Sequence, residues 1–523
     1  MSAERSVDNF DYIVVGAGSS GCAVASRLSA DPSCSVLLVE AGDWHTRPEI
    51  NRVDVPSLTA LWTEPWGRGI DWGYTTEQEP HLEGRSIPIA RGKGVGGCSS
   101  VNALMWVRGN RLDYERWSAL GNTGWSFEEV LPYFIRAESY PTGAQDRGSS
   151  GPISVQDHRD PTPVAEAFVA AAEHLGYAAP EADYNGPRQD GFGFLYQTNR
   201  TAEGERCCCA TGYLRPAADR PNLAIRTGAH ATRIVLRDGR AAGLEHLHEG
   251  RLRTATAEGE IVLSAGAFET PKLLMLSGIG PAADLERQGI RCVQNLPGVG
   301  GNLQDHVFVP VCYQSLQTHP SAELISEAGL FTRSRLTPAD APPDLQFTFG
   351  TVKFLPASAS ARAGEGHGFT FAPILLTPRS RGRVSLRSAD PHEPAVVRAG
   401  YLGEQADVDV LVEGVELARE LAHTPVFDAF RGEELAPGPA FGTGKELRGY
   451  VAAEATTLWH PVGTCRMGTG SDAVVDPQLR VRGVPGLRIA DASIMPVIVS
   501  GNTNAPTVMI GEKAADLIRT TDS

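Results

Sequence analysis

Near the start of the chain the apolar positions form two short continuous runs, residues 12–15 and 36–39. Between them, residues 22–28 are mostly small and apolar. Uninterrupted apolar runs of four residues are typical of strands buried on both faces, and small residues predict a helix that packs closely on such strands. The pattern therefore predicts a strand–helix–strand unit of an α/β domain.

Glycines and one acidic residue mark the turns of this unit. The first strand runs into Gly16-x-Gly18-x-x-Gly21, and the second strand ends at Glu40. In a dinucleotide-binding turn the first glycine permits the tight bend, the second lets the backbone approach a pyrophosphate, and the third lets the helix lie on the strand. Glu40 can accept hydrogen bonds from both hydroxyls of an adenosine ribose. We therefore predict a dinucleotide site; the alternative is a glycine turn in an ordinary α/β domain.

The middle of the chain has a different pattern. Branched and aromatic residues bounded by turns predict β-strands over residues 307–316, 345–354, 369–377 and 383–388. Residues 404–422 repeat apolar positions at helical spacing and predict an amphipathic helix. The nucleotide-binding pattern thus brackets a mainly antiparallel sheet with helices, and the predicted fold class is α/β, or α+β overall.

Two interleaved domains are expected, because 523 residues are too many for one compact core. The nucleotide-binding domain is predicted to be discontinuous, over residues 1–155, 197–304 and 458–523. The substrate-binding domain is predicted over residues 156–196 and 305–457.

The net charge and the cysteines indicate which binding partners and which cellular location to expect for this protein. The chain has 47 basic and 62 acidic side chains, a formal charge of −15, which argues against nucleic acid and anionic membranes as partners. No apolar run reaches the roughly 18 residues of a transmembrane helix, and residues 1–9 are polar, unlike a signal peptide. The nine cysteines are odd in number and scattered, so we expect reduced thiols, including Cys207-Cys208-Cys209, a cytoplasmic location and no metal site.

Four further segments combine glycines with polar residues. In residues 91–103, four glycines precede Asn102. Backbone without side chains can lie against a flat ring, and the Asn102 amide can form hydrogen bonds with the polar edge of that ring. The alternative is a flexible surface loop. A helical stretch is predicted to follow through Met105 and Trp106. The other segments are residues 262–281, 459–468 and 487–507.

In this order, the five segments closely resemble those of the glucose–methanol–choline (GMC) family of FAD-dependent oxidoreductases. The resemblance covers about residues 10–517, nearly the whole chain. It implies FAD rather than NAD, a Rossmann-like FAD-binding domain interleaved with the substrate domain, and a substrate sheet that covers the flavin. It also implies oxidation of a primary alcohol to the aldehyde, with O2 or a quinone-type compound as electron acceptor.

The resemblance also implies roles for single residues. His460 matches the catalytic histidine, and Asn502 matches the second active-site position, which is asparagine in the choline-type enzymes. The residues expected to contact FAD are Gly16, Gly18, Ser19, Gly21, Glu40, Gly97, Asn102, Ala103, Ala231, Trp459, Asp491, Ala492, Asn504 and Thr507.

The chemistry expected of this pair follows from what alcohol oxidation requires. A proton must leave the oxygen, and a neutral imidazole at His460 can accept it near neutral pH. A hydride leaves the carbon for the flavin, while Asn502 can donate a hydrogen bond to the developing alkoxide. The alternative for His460 is a buried structural histidine beside a proline turn.

Two departures from the family pattern indicate how FAD is bound and which class of substrate to expect. Val101 stands where choline oxidases tether FAD through a histidine, so noncovalent FAD is expected. Phe308 stands where choline-handling relatives carry a glutamate, after Gln304-Asp305-His306, which leaves no carboxylate at that position for an ammonium group. Phe308 and Trp459 therefore indicate an apolar, aromatic pocket for an uncharged aryl or medium-chain aliphatic alcohol.

Several alternatives stay open. Choline is a second candidate substrate, and a hydroxynitrile lyase, which keeps FAD without using it for redox, is an alternative of another class. Trp62, Trp66 and Trp72 either line the pocket or form a packed, half-buried lid segment. The sequence leaves open the exact alcohol, the electron acceptor and whether the protein is a monomer or a dimer.

Overall fold

The computed structural model describes residues 8–520, except for 64–68, 142, 144–145, 180–182, 321, 363 and 443. Its α-helices are Ser19–Leu28, Pro48–Asn51, Val55–Thr63, Arg111–Ala119, Phe127–Ala137, Pro163–His174, Gly266–Leu276, Ala282–Arg287, Gln405–Ala422, Lys445–Glu454 and Asn504–Arg519. None of these helices, within the residues described, is long and apolar enough to cross a bilayer.

A first sheet of seven strands carries the strand–helix–strand unit. Its strands are Asp8–Val15, Val36–Val39, Leu223–Arg226, Ala229–Arg237, Arg240–His248, Arg251–Leu263 and Leu487–Ile489. The strand Asp8–Val15 pairs in parallel with Val36–Val39 on one side and with Arg251–Leu263 on the other. The helix Ser19–Leu28 follows the first strand, so the predicted unit is confirmed.

A second sheet of eight strands is antiparallel in its described pairings. Its strands are Gly193–Leu195, Val307–Phe308, Val311–Ser315, Ala328–Thr332, Leu345–Gly350, Gly368–Leu375, Arg431–Ala436 and Thr456–Thr457. The predicted strand over 307–316 is interrupted at Pro310, because proline has no N–H to give to a ladder. The predicted helix over 404–422 is found at Gln405–Ala422, with Leu411 and Val415 fully buried.

The strands of the two sheets come from different parts of the chain. All seven strands of the first sheet lie within residues 1–155, 197–304 and 458–523. All eight strands of the second sheet lie within residues 156–196 and 305–457. The domain boundaries themselves stay a prediction.

The helical stretch predicted through Met105 and Trp106 is wrong. A short 3-10 helix covers Gly97–Ser100, and Met105 forms an isolated bridge with Thr198. Leu104 has a φ of 71°, a left-handed conformation that ends any right-handed helix before Met105. The chain therefore leaves the glycine-rich segment as irregular backbone.

The remaining sequence features have simple positions in the fold. None of the nine cysteines, all of them among the described residues, forms a disulfide. Cys207, Cys208 and Cys209 are buried immediately before the π-helical turn Ala210–Leu214. No group of three or more histidine, cysteine or acidic side chains suited to a metal ion occurs among the residues described.

Candidate active site

The carboxyl ends of four parallel strands meet at one edge of the first sheet. Val15 pairs with Val39 and with Leu263, and Leu263 pairs with Ile489. The residues that follow these strand ends are Gly16, Glu40, Ser264 and Ala490. The edge outside the carboxyl ends of parallel strands is where α/β folds bind nucleotides. Three of the five segments identified in the sequence therefore meet here.

The glycine turn fits the role predicted for it. Gly16 has a φ of 98°, and a Cβ atom on Gly21 would lie 1.9 Å from the carbonyl oxygen of Gly16. A side chain at position 21 would therefore push the helix off the strand. A Cβ atom on Gly97 would lie 2.8 Å from the Cα of Gly18. The glycine-rich segment that includes Gly97 is thus stacked on the turn, backbone against backbone.

Two helices begin at this turn. Ser19 and Asn504 are the first residues of Ser19–Leu28 and Asn504–Arg519, and the Ser19 hydroxyl donates a 2.8 Å hydrogen bond to Asn504 Oδ1. The N-terminus of a helix carries unpaired N–H groups and a partial positive charge. The two helix starts therefore suit the diphosphate of a dinucleotide. Thr507, one turn further, donates its hydroxyl to Thr503 O within the second helix.

Glu40 is buried and holds three backbone segments together. Its carboxylate accepts hydrogen bonds from the N–H groups of Ala17 at 2.8 Å, Gly42 at 2.9 Å and Gly94 at 3.1 Å. Burial raises its pKa. A carboxylate has about four lone-pair positions. Three are used by the backbone, so about one remains for a ribose, where two hydrogen bonds were expected.

Asp491 plays a similar structural part on the other side of the edge. It accepts hydrogen bonds from Gly266 N at 2.9 Å, Thr270 Oγ1 at 2.6 Å and Ser493 N at 2.8 Å. Burial raises the pKa of this carboxyl group. Asp491 thereby fixes the backbone around Ala492.

The residues predicted on the flavin side have different surroundings. Asn102 Oδ1 accepts hydrogen bonds from Leu104 N at 3.1 Å and from Arg206 Nη1 at 2.8 Å. Ala103 packs against the apolar cluster that contains Phe308. Ala231 lies in the strand Ala229–Arg237 of the first sheet.

His460 is placed by a backbone hydrogen bond and by a strained neighbour. Its N–H donates to Asp305 Oδ1 at 2.7 Å. Trp459, which precedes it, has a φ of 62°, a rare conformation for a bulky side chain. The Trp459 carbonyl accepts from Arg91 Nη2 at 2.6 Å, and its N–H donates to Thr457 Oγ1 at 2.7 Å. Contacts on both sides of the peptide hold the strained turn, as is common at functional sites.

His306 contacts the His460 ring directly because of strand pairing. Val307 lies opposite both Thr457 and Leu375 in the second sheet. The residues just beyond these strands therefore meet as well. His306 Nδ1 lies 2.9 Å from His460 Nδ1, and His306 Nε2 lies 3.1 Å from the carbonyl oxygen of Leu376.

The contacts of His306 assign the protons of both rings. A carbonyl oxygen only accepts, so His306 Nε2 carries a hydrogen. Burial lowers the pKa of His306 to about 3, so the ring is neutral and its Nδ1 is an acceptor. His460 must then donate from its own Nδ1, which leaves His460 Nε2 unprotonated. Burial first, and then the positive charge of Arg91, hold the pKa of His460 well below its ordinary value.

Sequence reasoning missed His306. The segment Gln304-Asp305-His306 served only to locate Phe308, although Asp305 and His306 both contact His460. The available signal was the histidine within that segment. Its partner lies 154 residues away along the chain, so the contact itself was not readable.

Asn502 faces the free nitrogen of His460. Its Nδ2 lies 3.4 Å from His460 Nε2, and its Oδ1 is buried with no hydrogen-bond partner. Ser500, two residues before Asn502, is fixed by three hydrogen bonds. Its N–H and hydroxyl donate to Asp113 at 2.7 and 2.8 Å, and its carbonyl accepts from Gln189 Nε2 at 2.7 Å. Burial raises the pKa of Asp113 to about 6.

Aromatic rings lead from the surface toward this pair. Phe308 is 4% exposed, and its ring centroid lies 6.5 Å from that of Trp459 and 5.5 Å from that of Phe354. Phe354 is 40% exposed, and the sequence analysis did not predict it as a pocket residue. Trp72 instead packs against His230 and under the Lys93 ammonium. Trp66 and the side chain of Trp62 lie outside the described residues.

Comparisons with known proteins agree with this geometry. The N-terminal family model described as GMC oxidoreductase matches residues 10–308, and the C-terminal model matches residues 378–511. An uncharacterized GMC-type oxidoreductase of Mycobacterium bovis is 42% identical, over 97% of this chain and 99% of the relative. An oxygen-dependent choline dehydrogenase of Rhizobium meliloti is 40% identical, over 97% and 95%. The crystal structure of pyridoxine 4-oxidase from Mesorbium loti has a TM-score of 0.89 at 32% identity, over 97% and 99%.

The two family-model matches include all five segments identified in the sequence. The glycine turn, the paired helix starts and the stacked glycine-rich segment fit a dinucleotide cofactor, and a small-molecule substrate and an electron acceptor complete the reaction. This chain belongs to the GMC oxidoreductase family, whose members are FAD-dependent enzymes that act on the CH–OH group of donors such as alcohols.

Proposed function

We propose that this enzyme oxidises an uncharged primary alcohol, aryl or medium-chain aliphatic, to the aldehyde, with His460 Nε2 as the general base. The observation that supports it most strongly is the Nδ1–Nδ1 contact of His306 and His460 together with the Leu376 carbonyl. That arrangement leaves His460 Nε2 unprotonated, with only the long contact to Asn502 Nδ2 at 3.4 Å. Bound FAD supplies the acceptor for the hydride that leaves the alcohol carbon.

The lowered pKa of His460 keeps this base in its neutral form. An imidazole whose pKa lies below its ordinary value is neutral at pH 7, so Nε2 can accept a proton, with less driving force than a base whose pKa lies near the operating pH. The proton taken from the alcohol hydroxyl would stay at Nε2, while Nδ1–H continues to donate to His306. The tautomer therefore does not have to change during the step.

Asn502 is proposed to stabilise the substrate oxygen. Its Nδ2 and His460 Nε2 lie close enough to face the same point. A hydroxyl bound there can donate to the imidazole while it accepts from the amide. As the proton leaves, negative charge grows on that oxygen, and a fixed donor stabilises it more than it stabilises the neutral alcohol.

The noncovalent state of FAD is part of the proposal. Val101 packs in a cluster with Ile50, Leu58 and Ile70, and its hydrocarbon side chain has no nucleophile for a flavin methyl group. The FAD contacts are proposed to come from the fourteen residues named in the sequence analysis. Acid precipitation should leave the yellow colour in the supernatant, and a yellow pellet would refute noncovalent binding.

Choline is the second candidate substrate, because a relative at 40% identity is named as an oxygen-dependent choline dehydrogenase. A quaternary ammonium loses hydration on entering a pocket and needs a carboxylate or an aromatic cage to offset that loss. Phe308 supplies no carboxylate. The rings of Phe308, Trp459 and Phe354 could therefore provide only an aromatic cage for the ammonium group. This balance supports an uncharged alcohol as the better substrate.

Anaerobic reduction of the flavin tests the proposed reaction. Benzyl alcohol and hexanol should bleach the yellow protein without oxygen, whereas a hydroxynitrile lyase would keep its colour. The same panel, run with oxygen and with a quinone-type acceptor in parallel, identifies the electron acceptor. Failure of every primary alcohol to bleach the flavin would overturn the proposal.

A further inference from the structure

Arg206 differs from the other buried arginines of the described chain. Four of them, Arg108, Arg147, Arg200 and Arg488, each form an ion pair with a carboxylate: Glu138 for the first two, Glu323 for the third and Glu260 for the fourth. Arg206 is 3% exposed and has no carboxylate within 4 Å among the residues described. Its guanidinium is a buried charge without a counter-charge.

The hydrogen bonds of Arg206 are all to neutral oxygens. Nε donates to Ile50 O at 2.8 Å, and Nη1 donates to Ser99 O at 3.3 Å and to Asn102 Oδ1 at 2.8 Å. Nη2 is buried and has no partner. Burial lowers the pKa of Arg206 to about 10, so the group stays charged at neutral pH. A buried cation in this state is costly unless a negative charge is supplied from outside the chain.

The position of Arg206 indicates where that negative charge arises. Its partners Ser99 and Asn102 follow the glycine-rich segment stacked on the FAD turn. The diphosphate has its own positive site at the helix starts of Ser19 and Asn504. Bound FAD would supply a ring that is neutral when oxidised and negatively charged when reduced. A fixed cation held by Asn102, near the expected position of the ring, would therefore favour the reduced form.

We propose that Arg206 sets the reduction potential of the bound flavin, as an uncompensated cation behind Asn102 that stabilises the negative charge of the reduced ring. This inference rests on FAD binding and does not depend on which alcohol is oxidised. Arg206 acts here through its charge, and its hydrogen bond to Asn102 holds that charge in place.

Redox titration of the FAD-loaded protein tests the proposal. Arg206→Met and Arg206→Gln should lower the ratio of reduced to oxidised flavin at a fixed potential at least tenfold, which corresponds to about 30 mV for a two-electron couple. Arg206→Gln keeps a donor for Asn102 but loses the charge, whereas Arg206→Lys keeps the charge and should stay within threefold of wild type. Arg200→Met, which removes a paired guanidinium from the same turn, should leave the potential unchanged.

Three results would overturn the proposal. Wild-type potential in Arg206→Gln would mean that the hydrogen bond, not the charge, matters. An unchanged potential with weakened binding of ADP to the apoprotein would mean that Arg206 serves the diphosphate, because ADP carries that group without the flavin. Failure of both neutral variants to fold, measured by circular dichroism, would make Arg206 a structural residue.

Discussion

The two sheets contribute to the site in different ways. The first sheet offers backbone: a glycine turn, two helix starts and carboxylates, Glu40 and Asp491, whose oxygens are occupied mainly by N–H groups. The second sheet positions side chains: its paired strands bring His306 against His460 just beyond the strand ends, and Phe308 lies in one of these strands. The cofactor region is therefore specified by close backbone packing, and the reactive region by ring-to-ring contacts between distant segments.

Loss of the base is the strongest test of the reactive region. His460→Ala should slow anaerobic flavin reduction by roughly 10²–10⁴, the usual contribution of a general base. Stopped-flow absorbance with saturating alcohol measures the rate, and FAD content per chain is the control. Since His460 is not among the proposed FAD contacts, that content should stay at the wild-type level. A near wild-type rate would remove His460 from the mechanism.

Two alanines separate packing from cofactor contact in the first sheet. Gly21→Ala should destabilise the apoprotein by about 1–3 kcal/mol, because its Cβ would overlap the Gly16 carbonyl. Gly18→Ala is the matched control: its Cβ would lie 3.8 Å from the nearest atom, Ser264 O, so apoprotein stability should hold while FAD affinity falls. Denaturant unfolding and FAD titration measure the two quantities. Equal stability of both variants would contradict the close-packing argument.

The pH profile tests the tautomer assignment. His306→Phe removes the acceptor for His460 Nδ1–H, and the rate should fall by about 10–100-fold, as when an orienting partner is lost. A neutral His306 that accepts from Nδ1–H stabilises the protonated His460 ring more than the neutral one. Its removal should therefore lower the pKa of His460 further, so activity should start to fall at a lower pH as the solution is acidified. A lower rate with an unshifted profile would indicate damage to packing alone.

Substrate preference should show the smallest effect. Choline should have a lower kcat/KM than benzyl alcohol or hexanol, because Phe308 provides no counter-charge. Phe308→Glu should move the ratio toward choline, and Phe308→Leu, which is equally uncharged, is the control. If choline is preferred tenfold or more by the wild type, a carboxylate elsewhere in the pocket must bind it.

The strand–helix–strand unit and its glycine turn could be predicted because their pattern is local. The spacing of Gly16, Gly18 and Gly21 and the acid after the second strand were enough to place the turn at the carboxyl edge of the first sheet, while the FAD contacts stay a proposal. His306, Phe354 and Arg206 were missed, since their positions depend on contacts with residues far along the chain. Leu104 was misjudged for a similar reason: no local pattern announced its left-handed backbone.

The hydrogen bond between Ser19 and Asn504 joins residues 485 positions apart. Arg27 on the first helix pairs with Glu512 on the last one, and Tyr213 also donates to Glu512. At the usual 5–20 residues per second of synthesis, Ser19 exists for roughly half a minute or longer before its partner is made. The proposed diphosphate site can therefore be completed only after residue 504 has been synthesised, so we expect FAD binding to follow the synthesis of both helices.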